Sequence, residues 1–441
     1  MVTDAPQDGV AAPEAAIGGP PAAPAAGAVT RLLAPLREPA FALYFAGQLL
    51  SQAGNGIYLV ALPFVVLNHG GDPVRLGVAL AGNGLARLAA FPVGGWLVDR
   101  FGARRVMLVT DVLQAVAVAG FAMLSLLDRI PLAALLAFAV PAGALAGLFL
   151  PASLAVLPQI VSRRSLGAAN SVEYVMQSSA QIGGPALGAV LVGSLHTTTG
   201  LLVDAVTFGV SSATLFAIAR VRTPGPGGEV AAADESPADA ADGPLRTWAS
   251  VLRYIGGSFL LRMSLLITLV VNVAWGGMTE VALPSFAAHP LGGGASAFGV
   301  IMTGFGAGAM VGALCGEAFL RLRRRGLVAL VLGVAQGLAV LVIPLGASLT
   351  VATGAMATVA ALQAVLNVFY LTMLQRNVPS RALGRVMSLL AMCAFAAYPL
   401  SGLLAGAVTQ AAGPTAVIDA AGISIAAAFC VGFVSRRYRE L

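Results

Sequence analysis

The stretch GWLVDRFGARR, Gly95 to Arg105, sets the reading of this chain. One aspartate and three arginines are wedged between two long apolar runs, residues 76–98 and 106–127. A charge cluster on a soluble surface needs no apolar flanks, and a plain membrane anchor needs neither Asp99 nor Gly102. The pattern is that of a polar hairpin joining two membrane spans. Outward from it, further runs of spanning length fall at 41–67, 132–159, 166–193 and 199–219, then at 262–287, 296–320, 327–346, 350–375, 383–410 and 414–434. That makes twelve. Glycine and proline inside them are compatible with helix, because neighbouring helices re-satisfy the backbone.

Composition agrees. The chain is 58% hydrophobic and 10% charged, against about 25% charged in a soluble domain. Its net charge of +6 is no nucleic-acid footprint, because all 25 basic residues are arginines and nearly all sit between the apolar runs. The absence of lysine rules out a phosphate-cradling ATP loop. Cys315, Cys393 and Cys430 lie within apolar runs at unrelated spacings, so they are expected as small buried hydrophobes, with neither disulfide nor metal site. His69, His196 and His289 fall in or near loops with no second metal ligand beside them, which argues against catalysis at a metal.

Arginine placement predicts orientation. Arg31 and Arg37 precede the first run; Arg100, Arg104 and Arg105 follow the second; Arg163 and Arg164 follow the fourth. Arg220, Arg222, Arg246 and Arg253 lie in the middle connection, Arg321 to Arg325 after the eighth run, Arg376 and Arg381 after the tenth, and Arg436, Arg437 and Arg439 at the end. The intervening connections hold only Arg75 and Arg129. The positive-inside rule then places both termini and the middle connection in the cytoplasm, with an even number of spans in each half.

The expected organisation is a disordered tail over 1–30, a first six-helix bundle over 31–219, and a cytoplasmic acidic linker over 220–261. An interfacial helix near Trp248 closes the linker, a second bundle covers 262–434, and a short tail covers 435–441. The halves echo each other. Val60-Ala61-Leu62-Pro63 recurs as Val281-Ala282-Leu283-Pro284, and the same offset carries Gly95 and Arg104 onto Gly316 and Arg325. Residues 161–167, VSRRSLG, return as 378–384, VPSRALG, and Asp204-Ala205 as Asp419-Ala420. Four matches in one order point to an internal duplication.

Arg-x-Gly-x-Arg-Arg after Asp99 resembles the signature hairpin of the major facilitator superfamily. FAGQLLSQAGNGIYLVALPFVV, LPQIVSRRSLGAANS and LQRNVPSRALGRVMS look like its branch of enterobactin exporters and related secretion effectors. The resemblance implies an all-α membrane protein of twelve helices in two pseudo-symmetric six-helix bundles, with substrate bound between them near the midplane. It also implies that Asp99, Arg100, Gly102, Arg104 and Arg105 act as a conformational switch docking near Arg381, with Asp111 pairing with loop arginines. Gly95 is expected where two helices approach closely. Gly184, Pro185 and Gly188 are similar to the helix-bend motif of proton-coupled drug exporters, although the upstream glycines of that motif are replaced.

Charges within spans are costly, so each asks for a reason. Arg87 lies twelve residues before Asp99, near mid-membrane, with Asn83 on the same face. Glu173 heads a polar stripe with Gln177 and Gln181 and is the first candidate for a proton-carrying acid; Glu280 is the second. Arg87, Glu173 and Glu280 are thus the ion-coupling candidates, each with a structural hydrogen-bonding or ion-pairing role as the competing reading. Asp204 and Asp419 are read as stabilising helix N-termini. In the superfamily the first, fourth, seventh and tenth helices line the cavity. That resemblance makes Gln48, Gln52, Asn55, Asn272, Trp275, Thr279, Gln363, Asn367 and Tyr370 candidates for substrate contact, together with Asn83 and Gln177.

The function expected is secondary active, proton-coupled efflux of a small amphiphilic molecule, such as a drug, an antibiotic or a siderophore, by alternating access. The proton-motive force supplies the energy, without cofactor, metal or ATP. The partners are the substrate and the lipid bilayer of a bacterial plasma membrane, with no nucleic acid, and monomers are usual in the superfamily. A lysophospholipid flippase is the alternative within transport; a membrane-embedded lipid-modifying transferase is the alternative among enzymes.

Overall fold

The computed structural model describes residues 33–127, 129–162, 165–221, 253, 256–320, 325–377 and 380–432. The expected disordered tail, most of the acidic linker, its interfacial helix and the final tail lie outside these residues. So do Arg163 and Arg164, and the side chains of Arg376 and Arg381.

Twelve membrane-length helices follow one another among the described residues. They are α1 Pro39–Asn68, α2 Pro73–Phe101, α3 Ala103–Leu124, α4 Leu132–Ile160, α5 Leu166–Ser194 and α6 Thr197–Ile218. In the second half, α7 runs as Phe259–Gly277, a π-helical turn Met278–Ala282 and a final Leu283–Ala288. Then come α8 Gly294–Leu320, α9 Arg325–Val342, α10 Leu349–Asn377, α11 Ser380–Ala412 and α12 Pro414–Gly432. Ten of these are long and apolar enough to cross a membrane by composition alone. The other two are α9, whose apolar core is shorter, and α5, which carries Glu173, Gln177 and Gln181 along its length.

Start and stop signals are local. Asp72 caps α2 by accepting from the Arg75 amide at 2.8 Å, and Ser258 caps α7 through the Leu261 amide. Pro39 and Pro73 occupy first turns, where a missing N–H costs nothing. The link between α2 and α3 is one residue, Gly102, at φ +84°. That left-handed conformation suits only glycine well, which explains the glycine of the hairpin.

The packing is doubled. Within the first six helices α1 packs on α5 and α6, α2 on α4, and α3 on α4 and α6. Six helices later the same pairs recur: α7 on α11 and α12, α8 on α10, and α9 on α10 and α12. Glycines set these seams. A Cβ on Gly143 of α4 would strike the Asn83 backbone of α2, and one on Gly308 of α8 would strike the Ala357 backbone of α10. Backbones that close gain dispersion contacts, the main cohesion available where lipid tails are as apolar as leucine. Outward faces carry Leu85, Val116, Leu154, Val206 and Leu314, all exposed, as helices bathed in acyl chains require. Cys315 and Cys430 are exposed too, so the expectation of burial fails for them.

Glycines in and out of the seams differ sharply in room to spare, which gives a test. Gly143→Leu is expected to lower the thermal stability of the purified protein, by about 1–3 kcal/mol of overpacking. Gly120→Leu, where nothing lies within 4 Å of an added Cβ, should leave the melting temperature nearly unchanged.

Candidate functional site: the interface between the two bundles

The two bundles meet along α2 with α11 and α5 with α8, and these contacts exchange with each other under the duplication. Among the described residues, their close glycine contacts lie at one end and the midplane. On α2 and α11, Pro73 faces Gly406, Gly77 faces Gly402 and Gly84 faces Pro399. On α5 and α8, Gly193 meets Ser296, Ala189 meets Gly299 and Ile182 meets Gly306. Phe64 of α1 and Phe298 of α8 bring their rings to 6.1 Å at the same end. At the end bearing Asp99 the picture reverses: added Cβ atoms on Gly95, Gly102 or Gly167 would meet nothing within 4 Å. Asp99, Arg100, Trp96 and Phe101 are exposed there. Among the described residues, the interface is shut at one end and parted at the other.

Gly95 therefore makes no close helix approach. Its neighbour Gly94 does so instead, since a Cβ there would come within 2.9 Å of Leu148 and Pro151 of α4. Within the hairpin, Arg104 donates to the Leu215 carbonyl at 3.2 Å, placing a cation on the C-terminal turn of α6. Arg100 lies over the rings of Trp96 and Phe101 at 5.8 and 5.7 Å. Arg105 is exposed.

Asp111 does not pair with a loop arginine. It is fully buried and accepts from the Ser211 hydroxyl at 2.6 Å, while the Gln48 amide donates to Ser211 at 3.0 Å. Gln48 thus belongs to a buried α1–α6–α3 network and not to a cavity wall. Asp204 is likewise no helix cap: it lies seven residues into α6, buried against Gly54. Asn83 donates to the Ala139 carbonyl of α4 at 3.0 Å, inside its own bundle.

Polar side chains left open in mid-helix mark the space between the bundles, because lipid contact would strand them. Asn55 of α1, Gln177 of α5 and Asn367 of α10 are exposed, with Gln52 and Gln363 half-buried beside them. Opposite, Asn272 and Thr279 hydrogen-bond to carbonyls of their own helix, and Trp275 packs on Phe305 of α8 at 5.2 Å. Tyr370 shares a 2.9 Å hydrogen bond with Thr268, tying α10 to α7.

The three coupling candidates separate clearly. Glu173 accepts from Tyr44 of α1 and from Gln177, each at 3.3 Å, all within the first bundle. Glu280 sits in the π-turn of α7, where it interacts electrostatically with Arg87 of α2, and both act on Tyr398 of α11. Tyr58 of α1 feels Glu280 and Asp204 together. An acid of the second bundle and a cation of the first therefore lie within electrostatic reach of each other deep in the closed half. Sequence reading found Arg87 and Glu280 separately but missed Tyr58, Tyr398 and Tyr44. The available signal was that a tyrosine hydroxyl buried in a membrane needs a polar partner. Gly184, Pro185 and Gly188 lie in an unbroken α5 and press it onto α1, where a Cβ added to Gly184 would come within 2.8 Å of the Gly56 backbone.

Known proteins agree with this architecture. The family model of the Major Facilitator Superfamily matches residues 44–402. The chain belongs to that superfamily. It is 31% identical over 415 residues to the multidrug efflux pump Tap of Mycobacterium tuberculosis, covering 92% of this chain and 94% of that one. It is 26% identical over 354 residues to the enterobactin exporter EntS of Citrobacter koseri, covering 80% of this chain and 81% of that one. Among solved structures, a bacterial homologue of the iron transporter ferroportin in an inward-facing state superposes with TM-score 0.67. That match is 16% identical and covers 89% of this chain and 98% of the other. The protein is thus a multi-pass membrane transporter and not an enzyme.

One tether near the parted end is testable by pH. Glu38, just before α1, accepts from the Ser162 amide and hydroxyl at 3.0 Å each. Burial pushes its carboxyl up, but hydrogen bonds from Ser165 and Ser162 outweigh this and hold it below the usual 4.5. A group lowered by folding stabilises above its unfolded value and loses that contribution as pH falls through the folded one. Glu38→Gln is expected to melt earlier at pH 7, with the gap to the parent closing below about pH 4.

Proposed function

We propose that this transporter exports small amphiphilic molecules, a drug, an antibiotic or a siderophore, in exchange for protons. The similarity to Tap and EntS supports the direction and the substrate class. It works as a monomer in a bacterial plasma membrane with both termini cytoplasmic, needs no cofactor, and draws on the proton-motive force. With the arginine-rich connections inside, the parted Asp99 end faces the cytoplasm, and the structure is the inward-open member of an alternating-access pair.

The observation that carries the coupling is the Arg87–Glu280 pair across the closed half. In the hydrocarbon interior no bulk water answers either charge, so each stabilises the other. A substrate gathered among Asn55, Gln177, Gln363 and Asn367 from the cytoplasmic side is released outward as the bundles rock and part Glu280 from Arg87. Glu280, then open to the outside and without that nearby cation, takes up a proton, carries it inward as the outer half closes, and gives it up to the cytoplasm once Arg87 faces it again. One charge moving through 100 mV supplies about 2.3 kcal/mol, enough for roughly fifty-fold accumulation. Asp99 and the hairpin arginines act in the opposite state, docking against the start of α11 when the cytoplasmic end closes.

Reconstituted into liposomes, Glu280→Gln is expected to lose substrate-driven proton movement at least tenfold, while Glu173→Gln keeps most of it. The reverse ranking would transfer the coupling role to Glu173. Asp99→Asn should insert and fold normally yet transport at least tenfold more slowly; efflux at the parent rate would exclude the hairpin from switching.

A further inference from the structure

On the lipid-facing side of the second bundle, α11 and α12 diverge from the connection at Gly413 over a floor made by α7. The gap is a crevice of about 340 Å³. Val273 and Gly277 form its floor, Leu404 and Val408 one wall, and Ala420 and Ala421 the other. Leu404 and Val408 are 50% and 39% exposed, so the mouth opens outward and not toward the space between the bundles. A bilayer therefore supplies whatever enters.

A buried polar atom of the lining is unanswered. Ser401 lines the crevice, is only 1% exposed, and its hydroxyl has no hydrogen-bond partner. Serines in helices ordinarily satisfy themselves on a preceding carbonyl, as Ser285 does on Val281 at 2.8 Å. Ser401 does not, and the hydrocarbon interior offers no water in exchange. It stands eleven residues short of the end of α11 at Ala412, roughly 16 Å along the helix and so near mid-bilayer. A phospholipid seated there presents only its chain, because its ester groups lie at the interface. The missing partner must belong to a smaller molecule that carries a polar atom into the hydrocarbon.

We propose that the α7–α11–α12 crevice is a binding site for small membrane-dissolved amphiphiles, which bury an apolar body against Val273 and Leu404 and hydrogen-bond to the Ser401 hydroxyl. The site adjoins the bundle interface. Ser401 packs directly on Gly276 and Gly277, and Tyr398, one turn earlier on α11, interacts with Arg87 and Glu280. An occupant thus presses on the α7–α11 contact that holds the interfacial acid in place.

The test uses the full-length protein in nanodiscs with octanol carrying a diazirine, photolysed and mapped by mass spectrometry. Labels are expected to concentrate on the α11 and α12 segments 401–408 and 417–424. Ser401→Ala should reduce them roughly fivefold, the loss of one neutral hydrogen bond. Ala421→Phe, which fills the crevice, should abolish them, and a phospholipid with a diazirine on its chain should label lipid-facing helices without regard to Ser401. Octanol labels spread evenly over lipid-facing helices, or unchanged by Ser401→Ala, would overturn the proposal. The Ser401→Ala arm removes a single oxygen and decides the matter even if Ala421→Phe fails to fold. Labelling is read without any gradient, so it stands or falls separately from the assignment of proton-coupled export.

Discussion

Backbone-to-backbone contact between glycine-rich helices is the constraint on which this structure rests. In a bilayer the hydrophobic effect no longer draws helices together, and cohesion comes from how closely their surfaces approach. Gly77 against Gly402 and Gly299 against Ala189 bring α2 to α11 and α5 to α8 without intervening side chains. Those contacts stop near the midplane. The parted end, the open polar side chains and the buried pair of charges are all consequences of where that close packing begins and ends.

The polar groups fall into two kinds once this seam is drawn. Asp111 with Ser211 and Gln48, and Asn83 with the Ala139 carbonyl, are satisfied inside one bundle and travel with it as rigid parts. Arg87 belongs to one bundle and Glu280 and Tyr398 to the other, so the interaction of Arg87 with them lasts only while the closed half stays closed. Such a link is sensitive to conformation by construction, whereas a network within one bundle is not. The π-turn Met278–Ala282 adds to this: by inserting one residue per turn it re-aims Glu280 relative to an ordinary α7.

Much of the fold was legible before any coordinates. Each of the twelve expected runs matches a helix, with ends differing by at most a few residues, because span length, capping and arginine placement are local properties. Gly102 was visible as a hairpin glycine, and its φ of +84° supplies the reason. Duplication was visible in four echoed segments, and the contact pattern repeats in the same register. Individual partners were much less legible. Asp111 was expected beside arginine and lies beside serine; Gln48 was expected in the cavity and lies in an interhelical seam; the close approach assigned to Gly95 belongs to Gly94. A helical face can be read from a period of 3.6, but which neighbour that face meets depends on rotations of a few tens of degrees that no local pattern encodes.

The amino-acid sequence alone determined that this chain crosses a membrane twelve times, in two related halves, with most of its charges gathered outside its spans. Those are consequences of one-dimensional patterning against a slab of fixed thickness. Which end of the interface is shut, which acid lies near Arg87, and where an unanswered hydroxyl is buried beside a crevice were decided only by the tertiary structure. Each depends on contacts between residues a hundred or more positions apart, and only the packed bundle brings them within reach of one another.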